Sequence, residues 1–188
     1  MSTRSTVLSV PDRPVNGPVV TFQPAPHTPF VHPSLAGVLS LPGVLARRRP
    51  RWTPRELLRL AELIVHGAPE ALRLLARHDL DRRWYGRLAL TEEVEVWLLG
   101  WTAAQATRPH DHGGASGAFM VLDGRLTESY RDGPVRSRRR SLGAGGRSAF
   151  GPERVHLVAN PGPGNATSVH VYSPPLLPVG ERASLDPA

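Results

Sequence analysis

The chain has 188 residues, 40% of them hydrophobic, which predicts one ordinary globular domain with one core. It has no cysteine, so a disulfide framework, a thiolate metal site and a cysteine nucleophile are excluded, leaving His, Asp and Glu as the strong metal ligands. The formal charge of +7 would suit an anionic partner, yet all 23 basic residues are Arg, a sign of coding bias, and aromatics are only 6%, so no nucleic-acid partner is expected.

Met1 to Val10 holds no apolar stretch of signal-peptide length, and the longest candidate, Leu35 to Ala46, is broken by Pro42; a cytoplasmic protein with no membrane partner is expected. Residues 1–50 carry prolines from Pro11 to Pro50 too often for a regular element and read as an irregular, Pro-rich arm of undecided role. Residues 51–188 read as a single domain, with helices over about 53–80 and strands over about 84–177. Thr53 as N-cap, Pro54 at the first helical position and Glu56 three residues after the cap predict a helix start, followed by Leu57, Leu60, Ala61 and Ile64 at helical spacing. A second helix is predicted from about Pro69 to His78 with Leu72, Leu75 and Ala76 inward.

After Arg83 the period changes to two, with strand runs at Val94 to Gly100, Gly117 to Leu122, Arg125 to Tyr130 and Ser168 to Tyr172. Asp123-Gly124 is a hairpin turn signal between two of them. Helices followed by many short strands predict a mainly β fold, an antiparallel barrel or jelly roll with N-terminal helices packed beside it. Arg136, Arg138, Arg139 and Arg140, ahead of Gly143, Gly145 and Gly146, read as an exposed loop.

His110 and His112 flank Asp111, and in an extended segment the i and i+2 side chains project to one side, so both imidazoles can reach one ion. Alone, such a pair also fits two surface histidines. The positions around it extend the pattern: His112 is followed by four residues and then Gly117, by six more and then Gly124, and Gly146, Pro152, His156 and Asn160 follow downstream. These spacings resemble the two motifs of the cupin superfamily, with Gly117 where the first motif carries Glu and with the Pro-to-His gap one residue short. The resemblance implies a metal site of His110, His112 and His156. Three neutral imidazoles leave up to three open positions, as in non-haem iron sites, but supply no anion. A substrate that brings a thiolate, a soft anionic ligand, suits such a site.

The chain further resembles the type I cysteine dioxygenases, iron-dependent cupins that oxidise L-cysteine to cysteine sulfinate with O2. The matching stretches are Trp84-Tyr85-Gly86-Arg87, Val96 to Gly100, His110 to Gly113, Phe119 to Tyr130, and Ser168 to Leu176 with its Ser-x-His-x-Tyr run before Ser173-Pro174-Pro175. The resemblance implies Fe(II) on His110, His112 and His156, Arg87 holding the substrate carboxylate with Tyr85 beside it, and Ser168, His170 and Tyr172 as a hydrogen-bonded row next to the metal. In a strand those three share one face and Val169 and Val171 the other; the row points inward if the barrel is lined by its polar face, outward if the valines fill the core. Animal members carry a cysteine at the position of Gly117, crosslinked to the tyrosine, so Tyr172 is expected to be a free phenol. The implied partners are a small thiol and O2, with a monomer favoured and a role in cysteine catabolism. A related dioxygenase acting on 3-mercaptopropionate, where the family has Gln at the carboxylate position, and a non-dioxygenase cupin holding zinc, nickel or manganese are the alternatives.

Overall fold

The computed structural model of the chain describes residues 29–48 and 51–176. Thr53 caps α2 (Pro54–Gly67) as its sequence predicts: Thr53 Oγ1 accepts from the Glu56 amide at 3.4 Å, and Glu56 Oε2 accepts from the Thr53 amide at 2.9 Å. Leu57, Leu60, Ala61 and Ile64 are buried along one stripe of this helix. The next helix, α3 (Pro69–Leu75), stops short of the expected His78. Ala76 turns extended, and His78 instead anchors the chain on a strand, its Nε2 3.1 Å from both the Ala166 carbonyl and Thr167 Oγ1.

The described part of the Pro-rich arm is irregular over about half its length and holds three short elements; residues 1–28 and 49–50 lie outside the described residues. A short strand, β1 (Phe30–Val31), a 3-10 turn at Pro33–Leu35 and a one-turn helix, α1 (Leu41–Leu45), bury Leu35, Val38, Leu41 and Leu45. Regular structure survives because Pro33 and Pro42 sit in first turns, where no backbone N–H is required.

Eight further strands follow among the described residues: β2 (Trp84–Leu90), β3 (Glu95–Trp101), β4 (Ser116–Asp123), β5 (Arg125–Asp132), β6 (Arg138–Gly143), β7 (Arg147–Phe150), β8 (Arg154–Ala159) and β9 (Ala166–Ser173). They form two antiparallel sheets, β1-β2-β3-β9-β4-β7 and β6-β5-β8. The Asp123-Gly124 turn does not close the expected hairpin: β4 pairs with β7 and β9 and β5 with β6 and β8, so the turn carries the chain from one sheet to the other, with Gly124 at φ 76°, a left-handed value that disfavours a side chain. The fold is mainly β, two antiparallel sheets arranged as a jelly roll with helices packed on one side.

One core was expected, and the structure has two, divided by the six-stranded sheet. On the helix side, Val96, Leu98, Ala118, Met120, Val169 and Val171 pack with Leu57, Leu60 and Ile64. Between the sheets lie Phe119, Val121 and Tyr172 from one and Leu126 and Val158 from the other. A sheet covered on both faces must bury both phases of its strands, and every residue of β9 is buried.

The Arg136–Arg140 stretch corrects a further expectation in part, for only Arg136 lies in an exposed loop. Arg138, Arg139 and Arg140 belong to β6, an edge strand paired with β5, rather than to a loop. Arg138 and Arg139 are exposed, as suits a charged edge. Arg140 lies opposite Glu128 and points at it, with 2.6 Å between Nη2 and Oε2.

Candidate metal centre

His110 and His156 meet through the backbone. The two residues exchange both amide-to-carbonyl bonds, at 2.9 and 3.0 Å, which makes them a directly opposed antiparallel pair whose side chains leave on the same side. His112, two residues along an extended stretch, joins them, while Asp111 turns away and accepts from the Gly113 amide at 3.0 Å. One ring nitrogen from each of His110, His112 and His156 lies within 4.8 Å of the others, and all three residues are buried.

The hydrogen bonds assign the donor atoms. His110 Nδ1 lies 2.8 Å from the Arg108 carbonyl and His156 Nδ1 lies 2.8 Å from Glu128 Oε1, so each Nδ1 carries the proton and each Nε2 the lone pair. Both ring nitrogens of His112 are buried without a hydrogen-bond partner. An orphaned buried imidazole is costly unless something else occupies its lone pair. Burial, reinforced by the neighbouring imidazoles, lowers the proton affinity of His112 and His156 well below that of a free imidazole, and the neutral form is the one that binds metal. A divalent ion therefore fits these residues.

Gly117 stands where a cupin carboxylate ligand would be. A Cβ there would lie 2.5 Å from two ring atoms of Phe150 and 3.0 Å from Tyr172 Cδ1, so the space a Glu stem needs is already filled. The donors the structure brings together are three imidazoles, with no carboxylate at Gly117. Gly117 is the register partner of Tyr172, consistent with an uncrosslinked phenol.

Ser168, His170 and Tyr172 share the inner face of β9 and are buried. Trp101 Nε1 donates to Ser168 Oγ at 2.9 Å, Ser168 Oγ lies 2.9 Å from His170 Nε2, and His170 Nδ1 lies 3.1 Å from the Tyr172 hydroxyl. Burial and the Arg83 guanidinium push His170 down to about 3, so its ring is neutral and has one donor and one acceptor to share between these neighbours. Its ring stacks on Phe119 with centroids 4.8 Å apart, and the Tyr172 ring stacks on His112 at 5.2 Å. The row thus abuts the histidine triad.

Arg87 and Tyr85 lie two strands away on the same sheet face, since Arg87 pairs with Trp97, which pairs with His170, and Tyr85 pairs with Leu99, which pairs with Ser168. Arg87 Nη2 is 3.0 Å from Oε1 of the buried Glu95 and its guanidinium lies 4.6 Å from the Trp97 ring centre; Tyr85 meets the same ring edge-on at 5.7 Å.

Sequence reasoning missed Glu95, Trp101 and Glu128. Glu128 is fully buried and accepts from His156, Arg140 and Arg154. A signal existed: Leu126 and Glu128 fall on one phase of a strand whose apolar members point inward, which places a carboxylate in the core. Asn160, part of the downstream motif, is structural; its amide donates to the carbonyls of Trp101, Thr102 and Gly164 and closes the turn after β8. Among the described residues, no helix is long and apolar enough to cross a membrane.

Comparison with known proteins gives a family model described as cysteine dioxygenase type I, matched over residues 59–181. Among solved structures, a Thermus thermophilus protein aligns at 22% identity and a TM-score of 0.48, covering 55% of this chain and 93% of its own. A Klebsiella pneumoniae protein with a double-stranded β-helix domain aligns at 20% identity and 0.49, covering 59% and 95%. Oxalate oxidase in complex with the substrate analogue glycolate aligns at 19% identity and 0.44, covering 48% of this chain and 50% of that one, so the chain spans about half the oxidase's length.

Proposed function

The chain belongs to the type I cysteine dioxygenase family, and from that premise we propose that it is an Fe(II)-dependent dioxygenase converting L-cysteine and O2 to cysteine sulfinic acid. Family membership makes it a metal-dependent thiol dioxygenase acting on a small molecule and O2; iron, cysteine, a monomeric state and a cytoplasmic setting are the further elements of the reading. The observation that carries it is the orphaned His112 between two imidazoles whose other nitrogens are fixed, in a site with no carboxylate ligand. Such a donor set leaves the ion's charge for the substrate to balance, and a thiolate does so.

His110, His112 and His156 would hold the ion. When bound, iron supplies the redox chemistry by which both atoms of O2 are joined to the thiol sulfur. The chain's own part is orientation and proton placement. Arg87 presents a planar fork of donors, oriented by Glu95 and Trp97, and the donors that Glu95 leaves take the substrate carboxylate. With each donor used once, the row runs from Trp101 N–H to Ser168, from Ser168 O–H to His170, and from His170 Nδ1–H to the Tyr172 oxygen. That order ends the row at the Tyr172 hydroxyl, on a ring stacked against His112. Arg87 favours cysteine over 3-mercaptopropionate, for which the family has Gln at this position.

The test is O2 uptake by the full chain loaded with Fe(II), with L-cysteine and 3-mercaptopropionate in parallel and products identified by mass. Uptake with cysteine and a gain of two oxygen atoms supports the reading. Uptake with 3-mercaptopropionate alone overturns the substrate, and silence with both at full iron occupancy assigns the chain to metal-binding cupins without this activity.

A further inference from the structure

Behind His156 stands a buried cluster that none of the roles above uses. Glu128 Oε1 is 2.8 Å from His156 Nδ1 and 2.9 Å from Arg154 Nη1, and Glu128 Oε2 is 2.6 Å from Arg140 Nη2. Arg154, itself buried, turns its Nε to Asp132 Oδ1 at 2.6 Å and lies over the Tyr130 ring at 4.1 Å. Arg140 also bonds Ser148 Oγ and lies 4.7 Å from the centre of the same ring.

The register of the small sheet builds this cluster. Glu128 is opposite Arg140 on β6 and opposite Val158 on β8, so His156 is its diagonal neighbour on the same face. Two carboxylates and two guanidiniums cancel in charge, and the fully buried member is the one that touches the metal-facing imidazole.

A carboxylate accepting from the outer nitrogen of a ligating histidine fixes the ring and raises its basicity toward a metal. A bare buried carboxylate would pull strongly on the Nδ1 proton, whereas one already shared with two guanidiniums pulls less, because its lone pairs are partly engaged. We infer that Glu128 is a positioning residue for the metal centre, holding the His156 ring through its Nδ1–H, and that Arg140 and Arg154, by engaging the same carboxylate, moderate the donor strength of that ring toward the metal. The inference rests on the histidine triad holding a metal, not on which thiol is oxidised.

The two kinds of partner predict opposite signs. Glu128→Gln weakens the acceptor and should loosen Fe(II), measured anaerobically by chelator competition on the full chain, by about 10–100-fold. It should also raise the ferric/ferrous potential. Arg140→Gln leaves Glu128 paired with Arg154 but less restrained, and should tighten Fe(II) and lower the potential. Arg140 is one-third exposed and away from the triad, so this variant should fold even if Glu128→Gln does not, and its sign alone decides. Wild-type metal affinity and potential in Arg140→Gln, or a shift in the direction of Glu128→Gln, would mean that the cluster only braces the sheet and would overturn the inference. If no variant and no wild-type protein binds iron, the triad reading itself fails, a result separable from these shifts.

Discussion

The two faces of the six-stranded sheet are built from the same strands and do opposite things. On the helix side, Val169, Val171 and Leu98 meet the apolar stripe of α2 in a layer without a buried charge among its members. On the other side, Ser168, His170 and Tyr172 of the same β9 meet three more histidines, and Glu95 and Glu128 lie buried nearby. Alternation along a strand makes this separation possible, since neighbouring residues never compete for one environment. The apolar face holds the sheet in place, and the polar face is left with groups whose hydrogen bonds are completed only by a ligand, as His112 shows.

Exchanging the character of the inner face should cost function and return stability. His112→Leu removes two unsatisfied ring nitrogens at nearly constant bulk. Metal affinity should fall by more than the roughly 100-fold lost with an outer-shell partner. The metal-free protein should gain about 1–3 kcal/mol in denaturant unfolding. A metal-free variant less stable than the parent would show that His112 is satisfied without an ion.

On the helix side the signs reverse. Leu98→Ala empties a fully buried site and should cost about 2–5 kcal/mol of unfolding free energy. kcat and KM, measured well below the unfolding transition, should stay at parental values. Altered kinetics would mean that the two layers are not separable.

Arg87 tests how far the inner face extends. Arg87→Gln should raise the cysteine KM by about 10–100-fold, the loss of a charge-assisted hydrogen bond of about 1.5–3 kcal/mol, with a smaller effect on kcat. An unchanged KM would confine Arg87 to its pair with Glu95 and Trp97.

The same inner face should also respond to pH. His112, His156 and His170 are held below the ordinary imidazole value of 6.5, first of all by burial. Below that value the unfolded chain takes up protons that the folded chain refuses, so the metal-free protein should lose stability as pH falls beneath about 6.5 and show no change from these groups above it. Each contributes up to about 1.4 kcal/mol per pH unit. Urea midpoints at pH 7.5, 6 and 5 check this, and a flat profile would mean that the three rings are protonated as easily folded as unfolded.

Much of this was legible in advance where the rule involved is local. The capping box at Thr53, the turn at Asp123-Gly124, though not the hairpin expected around it, and the common side of His110 and His112 depend on residues a few positions apart. The Arg136–Arg140 stretch was misread in part because charge density looks the same in a solvated loop and on an edge strand, and only pairing with β5 separates them. The arm's short elements were missed because proline frequency does not say where each proline falls in a turn.

What the sequence by itself determined is therefore the alternation of strands, the helix start and the identity of the histidines. Tertiary structure decided which polar residues meet. Glu128 reaches His156 across 28 positions, and Trp101 reaches Ser168 across 67. The order and register of strands in two sheets create those contacts, and both are set by which faces can be buried together, a property of the whole chain that no short window of sequence contains.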